Sequence, residues 1–200
     1  ERKFAYLKEK SKKALVAYLV AGDPDISTTL ELMHQFVLSG VDIIELGVPF
    51  TDPIAEGPII QAAHDRSLQA NTSLDMIFSL VEEFRNKDSE TPVILMGYIN
   101  TFLANSKELE SIHERGTDAV LIVDVPGESS LEDIGIQNKN IASISLISPT
   151  TDNDRIQKIC MSSSGFIYYV TLRGVTGASN LNENEIQTNI VNIKNLSLIH

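Results

Sequence analysis

Glu45 stands in Ile43-Ile-Glu-Leu-Gly47, a run that is otherwise apolar. If the run is a strand with Ile43 and Glu45 on its inner face, the carboxyl sits at the rim of an apolar enclosure. Burial there disfavours the charged form and raises the pKa, which suits proton transfer near neutral pH. The other reading is a carboxylate paired with a buried Lys or Arg, but no basic residue lies near a strand end before Arg173. The next segment, Gly47 to Pro58, holds three prolines, two glycines and two acids, Asp52 and Glu56. Prolines stiffen such a loop and glycines permit its turns. It can hold a second acid beside Glu45, or it can be a stiff surface connection with solvated acids.

Later runs end in Leu95-Met-Gly-Tyr98, Val123-Asp-Val-Pro126 and Tyr168-Tyr-Val-Thr-Leu-Arg-Gly-Val-Thr-Gly177. Tyr98 and Tyr168 can wall an aromatic pocket or simply pack in the core. The last run, with hinge glycines, a hydroxyl and a positive charge, has the composition of a lid. The segment Leu172–Glu185 is expected to be mobile without ligand, and cleavage at Arg173 to respond to a substrate analogue. The remaining candidates are weak. His34, His64 and His113 fall in helical patterns and His200 is terminal. No two have ligand spacing, so no metal is expected. Cys160 sits in an amphipathic pattern without a His partner, and Ser162-Ser-Ser164 reads as a loop.

Positioning these residues falls to alternating strands and helices. The strand candidates are Leu15–Val20, Asp42–Leu46, Pro92–Met96, Asp118–Val123, Ile141–Ile147, Gly165–Val170 and Leu196–Ile199. Most are continuous apolar runs, as expected of parallel strands buried on both faces. Between them lie helices marked by Ser27 as a cap with Leu30, Met33 and Val37, and by Ser73 and Asp75 with Met76, Leu80 and Phe84. Leu109 and Ile112 mark the next, followed by Ile134, by Ile156 and Ile159, and by Ile186, Ile190 and Ile193. An extra helix, Ile59–Ala70, fills the one long gap. Ser39-Gly-Val-Asp and Arg115-Gly-Thr-Asp echo one another: Gly closes a helix in a left-handed cap and Asp opens the next strand.

The pattern predicts an α/β fold, a (β/α)8 TIM barrel. The alternative is an open doubly wound sheet, whose nucleotide-binding form would show a Gly-rich first turn. Here that turn is Ala21-Gly-Asp-Pro-Asp25. Eight units usually take about 250 residues, so the 200 residues read as one barrel domain over 1–200, C-terminally incomplete by one to two βα units.

Composition bounds the partners. Sixteen Lys and Arg against 27 Asp and Glu give a net charge of −11, which argues against nucleic acid and against anionic lipid. It does not forbid a phosphate held by backbone N–H groups. One cysteine cannot close an internal disulfide. With no signal-peptide core and no apolar run long enough to span a bilayer, the expected compartment is the cytoplasm.

The run from Glu45 through Gly-Val-Pro-Phe-Thr-Asp-Pro-Ile-Ala-Glu-Gly-Pro to Gln61 closely resembles the signature of the tryptophan synthase alpha chain family. Ala21-Gly-Asp-Pro24, Asp124-Val-Pro126 and Arg173-Gly-Val-Thr-Gly-Ala178 match that family in the same order, and the resemblance runs from Phe4 to about Leu198. It implies a lyase of tryptophan biosynthesis that cleaves indole-3-glycerol phosphate by a retro-aldol reaction to indole and glyceraldehyde 3-phosphate. It further implies an alpha2-beta2 heterotetramer in which indole passes to a beta chain. Pyridoxal phosphate belongs to that beta chain, and the alpha chain has no cofactor.

By the same resemblance, Glu45 is the acid–base carboxylate. Glu56 is the second carboxylate, which stabilises positive charge on the indole nitrogen. Tyr18, Ile60, Tyr98, Leu121 and Tyr168 wall the substrate pocket, Thr176 and Gly177 belong to the lid and part of the phosphate site, and Asp52 faces the beta chain. Two departures stand out. The family's usual residue at Glu56 is Asp, and the Gly-rich phosphate site after strands seven and eight is not in these residues. An alternative is therefore a catalytically impaired subunit that mainly binds and activates a beta chain. Another phosphate-binding barrel enzyme would need a different signature in place of the run Glu45–Gln61.

Overall fold

A computed structural model describes residues 2–105, 109–138, 140–171 and 183–197. Its strands are β1 (Val16–Val20), β2 (Ile43–Gly47), β3 (Val93–Gly97), β4 (Ala119–Ile122), β5 (Ala142–Ile147) and β6 (Ile167–Tyr169). They form one parallel sheet in the order β1-β2-β3-β4-β5-β6. Strictly consecutive order excludes the doubly wound alternative, whose strand order must reverse at a switch point. It is the order of a (β/α)8 barrel, of which these strands make the wall from β1 to β6.

Helices α1 (Arg2–Glu9), α2 (Ile26–Leu38), α3 (Pro58–Gln69), α4 (Leu74–Arg85), α5 (Ile99–Leu103), α6 (Asn153–Ser162) and α7 (Glu183–Leu196) accompany the strands. The apolar strand runs are continuous because both faces are covered. Ile44, Leu46, Val93, Leu95 and Val120 face outward against Met33, Phe78, Leu80 and Phe84. Alternate residues Ile43, Ile94, Ala119, Leu121 and Ile144 pack together inside the barrel. The sequence pattern did not anticipate α1. It sends Phe4 into the inner cluster, edge-on to Phe166 with ring centroids 5.6 Å apart.

The two Gly-x-Asp echoes have a common structure. Gly40 and Gly116 close their segments at φ 91° and 97°, a conformation that costs glycine little. Asp42 Oδ2 accepts the Leu15 N–H at 3.0 Å, and Asp118 Oδ2 accepts the Val93 N–H at 2.9 Å. Each aspartate thus latches the start of the preceding strand to its own.

Several expectations are corrected. The cap of α2 is Asp25, whose Oδ1 accepts the Thr28 N–H at 2.7 Å, and Ser27 lies within the first turn. Asp25 lies on extended backbone just before the first helical residue, the position a cap requires, and Ser27 is already helical. Residues 131–135, around Ile134, form turns rather than a helix, and so do residues 110–116 after Leu109. The expected seventh strand begins at Leu196, which ends α7, and Ser197 N–H donates back to Ile193 O at 2.8 Å. Its other residues lie outside those described.

Candidate active site

Strand register brings the chemistry together. Tyr18 on β1 is the register partner of Glu45 on β2, and Glu45 in turn of Ile94 on β3. Glu45 alternates with Ile43, so it faces the barrel interior near the C-terminal end of β2. In barrels of this kind that end carries the reaction. Gly47, two residues on, has no side chain for a reason: a Cβ there would overlap the Tyr18 ring and hydroxyl.

Glu45 is 4% exposed, and its Oε1 has no hydrogen-bond partner among the described residues. The ion-paired reading of this residue therefore finds no support. Burial, helped by repulsion from Glu56, pushes the Glu45 carboxyl up to about 7. Both protonation states are then populated at neutral pH.

Glu56 is 6% exposed and close enough to act electrostatically on Glu45, Tyr18, Tyr98 and Tyr168. The loop holds it in place from both sides. Glu56 N–H donates to Pro53 O at 3.0 Å, and the Gln61 side-chain amide donates to Glu56 O at 2.9 Å. The Tyr98 hydroxyl accepts the Ala55 N–H at 3.0 Å, while its ring stacks on Phe50 with centroids 4.9 Å apart. Of the two loop acids, only Glu56 turns inward. Asp52 is exposed and accepts the Thr51 hydroxyl at 3.0 Å. Ile54 and Ile59 beside it are 76% and 83% exposed.

The other expected wall residues distribute as follows. Leu121 is buried in the inner cluster, in register with Met96. Tyr168 pairs in register with Leu146 and is 38% exposed; partial burial, with the charges of Glu45 and Glu56, raises its phenol pKa. Burial raises that of Tyr18 and Tyr98 as well. Ile60 is half-buried on the first turn of α3. Thr176, Gly177 and most of the expected lid lie outside the described residues.

One residue of the site escaped the sequence reading. His64, on α3 and 2% exposed, takes the Phe50 N–H on Nδ1 at 3.1 Å and places Nε2 3.5 Å from the Tyr18 hydroxyl. Burial lowers its pKa, so it is held neutral. The available signal was spacing: His64 follows Ile60 by four residues, hence shares its helix face.

A parallel wall of consecutive βα units with a buried carboxyl of raised pKa at its C-terminal mouth is the arrangement of a barrel enzyme of the acid–base class. The family model for the tryptophan synthase alpha chain matches residues 4–199. With relatives above 40% identical along nearly the whole chain, this protein belongs to that family.

The tryptophan synthase alpha chain of Acinetobacter baylyi is 44% identical over 195 residues, which cover 96% of this chain and 73% of that protein. That of Nitrosomonas europaea is 45% identical over 186 residues, covering 92% and 68%. Among solved structures, tryptophan synthase subunit alpha from Legionella pneumophila superposes with a TM-score of 0.88 at 37% identity, over 99% of this chain and 74% of that one. A chain of the tryptophan synthase a2b2 complex from Pyrococcus furiosus gives 0.81 at 34% identity, over 93% and 75%. The chain is thus a carbon–carbon lyase of tryptophan biosynthesis that cleaves indole-3-glycerol phosphate to indole and glyceraldehyde 3-phosphate. It partners a beta chain, to which the pyridoxal phosphate belongs.

Proposed function

We propose that Glu45 carries the proton transfers of this cleavage and that Glu56 supports the charge they create. Breaking the bond between the indole ring and its three-carbon chain requires a proton on ring carbon C3, which gives an electron-poor indolenine. It also requires removal of the proton from the side-chain hydroxyl, so that the electron pair of the breaking bond returns to the ring as the aldehyde forms. A carboxyl balanced near neutrality can give one proton and take the other. The observation that carries this reading is the inward, buried Glu45 with an unpartnered oxygen beside a second buried carboxylate.

Glu56 is assigned, on the family motif, to the indole nitrogen, where positive charge develops. It is one methylene longer than the family's usual Asp, and its loop backbone is secured on either side. That rigidity supports a role in catalysis, since misplacement by about 1 Å can cost about 100-fold in rate. Tyr18, Tyr98, Leu121 and Tyr168, with Ile60 at the edge, form the wall against which a bicyclic ring packs. Thr176 and Gly177 are assigned to the lid and part of the phosphate site on the family motif alone. Exposed Asp52, with Ile54 and Ile59, is the loop surface offered to the beta chain. We assign the protein to the cytoplasm and residues 1–200 to a single barrel domain that is C-terminally incomplete. No helix among the described residues is long and apolar enough to cross a membrane.

The test is indole release by Glu45→Gln, measured with and without the beta chain. The expected result is a loss of at least about 100-fold. Near-normal turnover would remove Glu45 from the mechanism. Absence of indole from the unsubstituted chain under both conditions would leave it as a beta-chain activator only.

A further inference from the structure

We propose that His64 is a positioning residue for the cleavage: it pins the start of the loop that carries Glu56 and so sets where that carboxylate stands. This rests on the assignment of Glu56 to the charge on the indole ring. The main chain leaves the sheet after Val48, whose N–H still donates to Met96 O at 2.8 Å. Two residues on, the Phe50 N–H donates instead to a side chain, His64 Nδ1 at 3.1 Å. A loop deprived of that acceptor would have to move its amide to find another. The imidazole can accept there in one tautomer only. A nitrogen that accepts carries no hydrogen, so in the neutral ring the hydrogen is on Nε2. Nε2 lies 3.5 Å from the Tyr18 hydroxyl, whose oxygen can take that hydrogen. Burial lowers the His64 pKa, which keeps the ring neutral and Nδ1 bare near neutral pH.

Glu56 is joined to the same helix. Gln61 of α3 donates its side-chain amide to Glu56 O at 2.9 Å, and Gln61 and His64, three residues apart, share a face of α3. The helix therefore grips the loop twice, at Phe50 through His64 and at Glu56 through Gln61. Tyr98 links the two grips. Its ring stacks on Phe50 with centroids 4.9 Å apart, and its hydroxyl accepts the Ala55 N–H at 3.0 Å. A displacement of Phe50 is thus carried by contact to Ala55, the chain neighbour of Glu56.

The experiment follows cleavage of indole-3-glycerol phosphate by the alpha chain with its beta chain, in the parent chain, His64→Asn, His64→Gln and Glu56→Gln. Asn holds its amide oxygen as far from Cβ as Nδ1 is, and keeps an acceptor for the Phe50 N–H. Gln carries its amide one bond further, at the reach of Nε2, and does not. His64→Gln is expected to lower kcat about tenfold with KM unchanged, since a shift of less than about 1 Å in the loop misplaces the carboxylate and leaves the pocket wall alone. His64→Asn should restore most of that loss. Equal losses in the two variants, a loss read in KM alone, or an unchanged kcat in His64→Gln overturns the inference. If His64→Gln does not fold, His64→Leu, which has no acceptor, takes its place. The imidazole 15N shifts of the parent chain decide independently of any variant: a bare Nδ1 with the hydrogen on Nε2 is expected, and the reverse tautomer overturns the inference. An inactive Glu56→Gln beside an undisturbed His64→Gln defeats only the role of His64; a Glu56→Gln of near-parental turnover defeats the assignment of Glu56 itself.

Discussion

Glu45 is held where its charge is unwelcome, and that has a thermodynamic signature apart from catalysis. A carboxyl raised from 4.5 to about 7 on folding binds its proton more tightly in the native state. Native stability is therefore full below about pH 4.5, falls as pH rises toward 7, and is level above. The loss is on the order of a few kcal/mol. Glu45→Gln is always neutral, so thermal unfolding should show it gaining on the parent chain across that window and keeping a constant lead at higher pH. A lead independent of pH would mean that Glu45 is not strained by burial. Glu56→Gln removes the like charge that adds to this strain. Its expected effects are near-abolition of indole release and a lower Glu45 pKa, read by carboxyl titration in NMR spectra.

At the scale of elements, the helix caps test how local sequence translates into structure. Asp25→Ala should cost about 1 kcal/mol in urea unfolding, whereas Ser27→Ala, in the first turn of α2, should change stability by less than about 0.5 kcal/mol. Equal effects would restore Ser27 as the cap. Periodicity alone could not separate two capping residues placed two apart. The strands were legible almost residue for residue, because burial on both faces writes an apolar run. All six runs that form strands begin early, by one residue or, at Gly165, by two, and the seventh, from Leu196, opens on the end of a helix instead; at Asp42 and Asp118 the extra residue is a polar latch that precedes the ladder. Residues 131–135 were misread because two apolar positions, Leu131 and Ile134, satisfy turns packed on the core as well as a helix. Glu45 was readable from strand parity and Glu56 from its motif. His64 was not, since its role depends on a backbone N–H of Phe50, and sequence spacing records no backbone direction.

Across the whole molecule, Arg85 joins separate units. Its guanidinium donates to Gly116 O, Asp88 O and Thr91 O and to Asp118 Oδ2, at 2.8 to 3.1 Å. It thereby fastens the end of α4 to the starts of β3 and β4, far from the carboxylates. Arg85→Met should cost about 2–4 kcal/mol in urea unfolding through the carbonyls and charge it abandons. Lys should restore little, lacking the fork. Indole release per folded molecule should stay unchanged; a matching fall in turnover would show that this fastening reaches the site. The neighbour-only strand order has a consequence for biosynthesis. Each strand from β2 to β6 adds to one that has already left the ribosome, so this wall can grow stave by stave while translation continues, whereas Phe4 of α1 meets Phe166 only late.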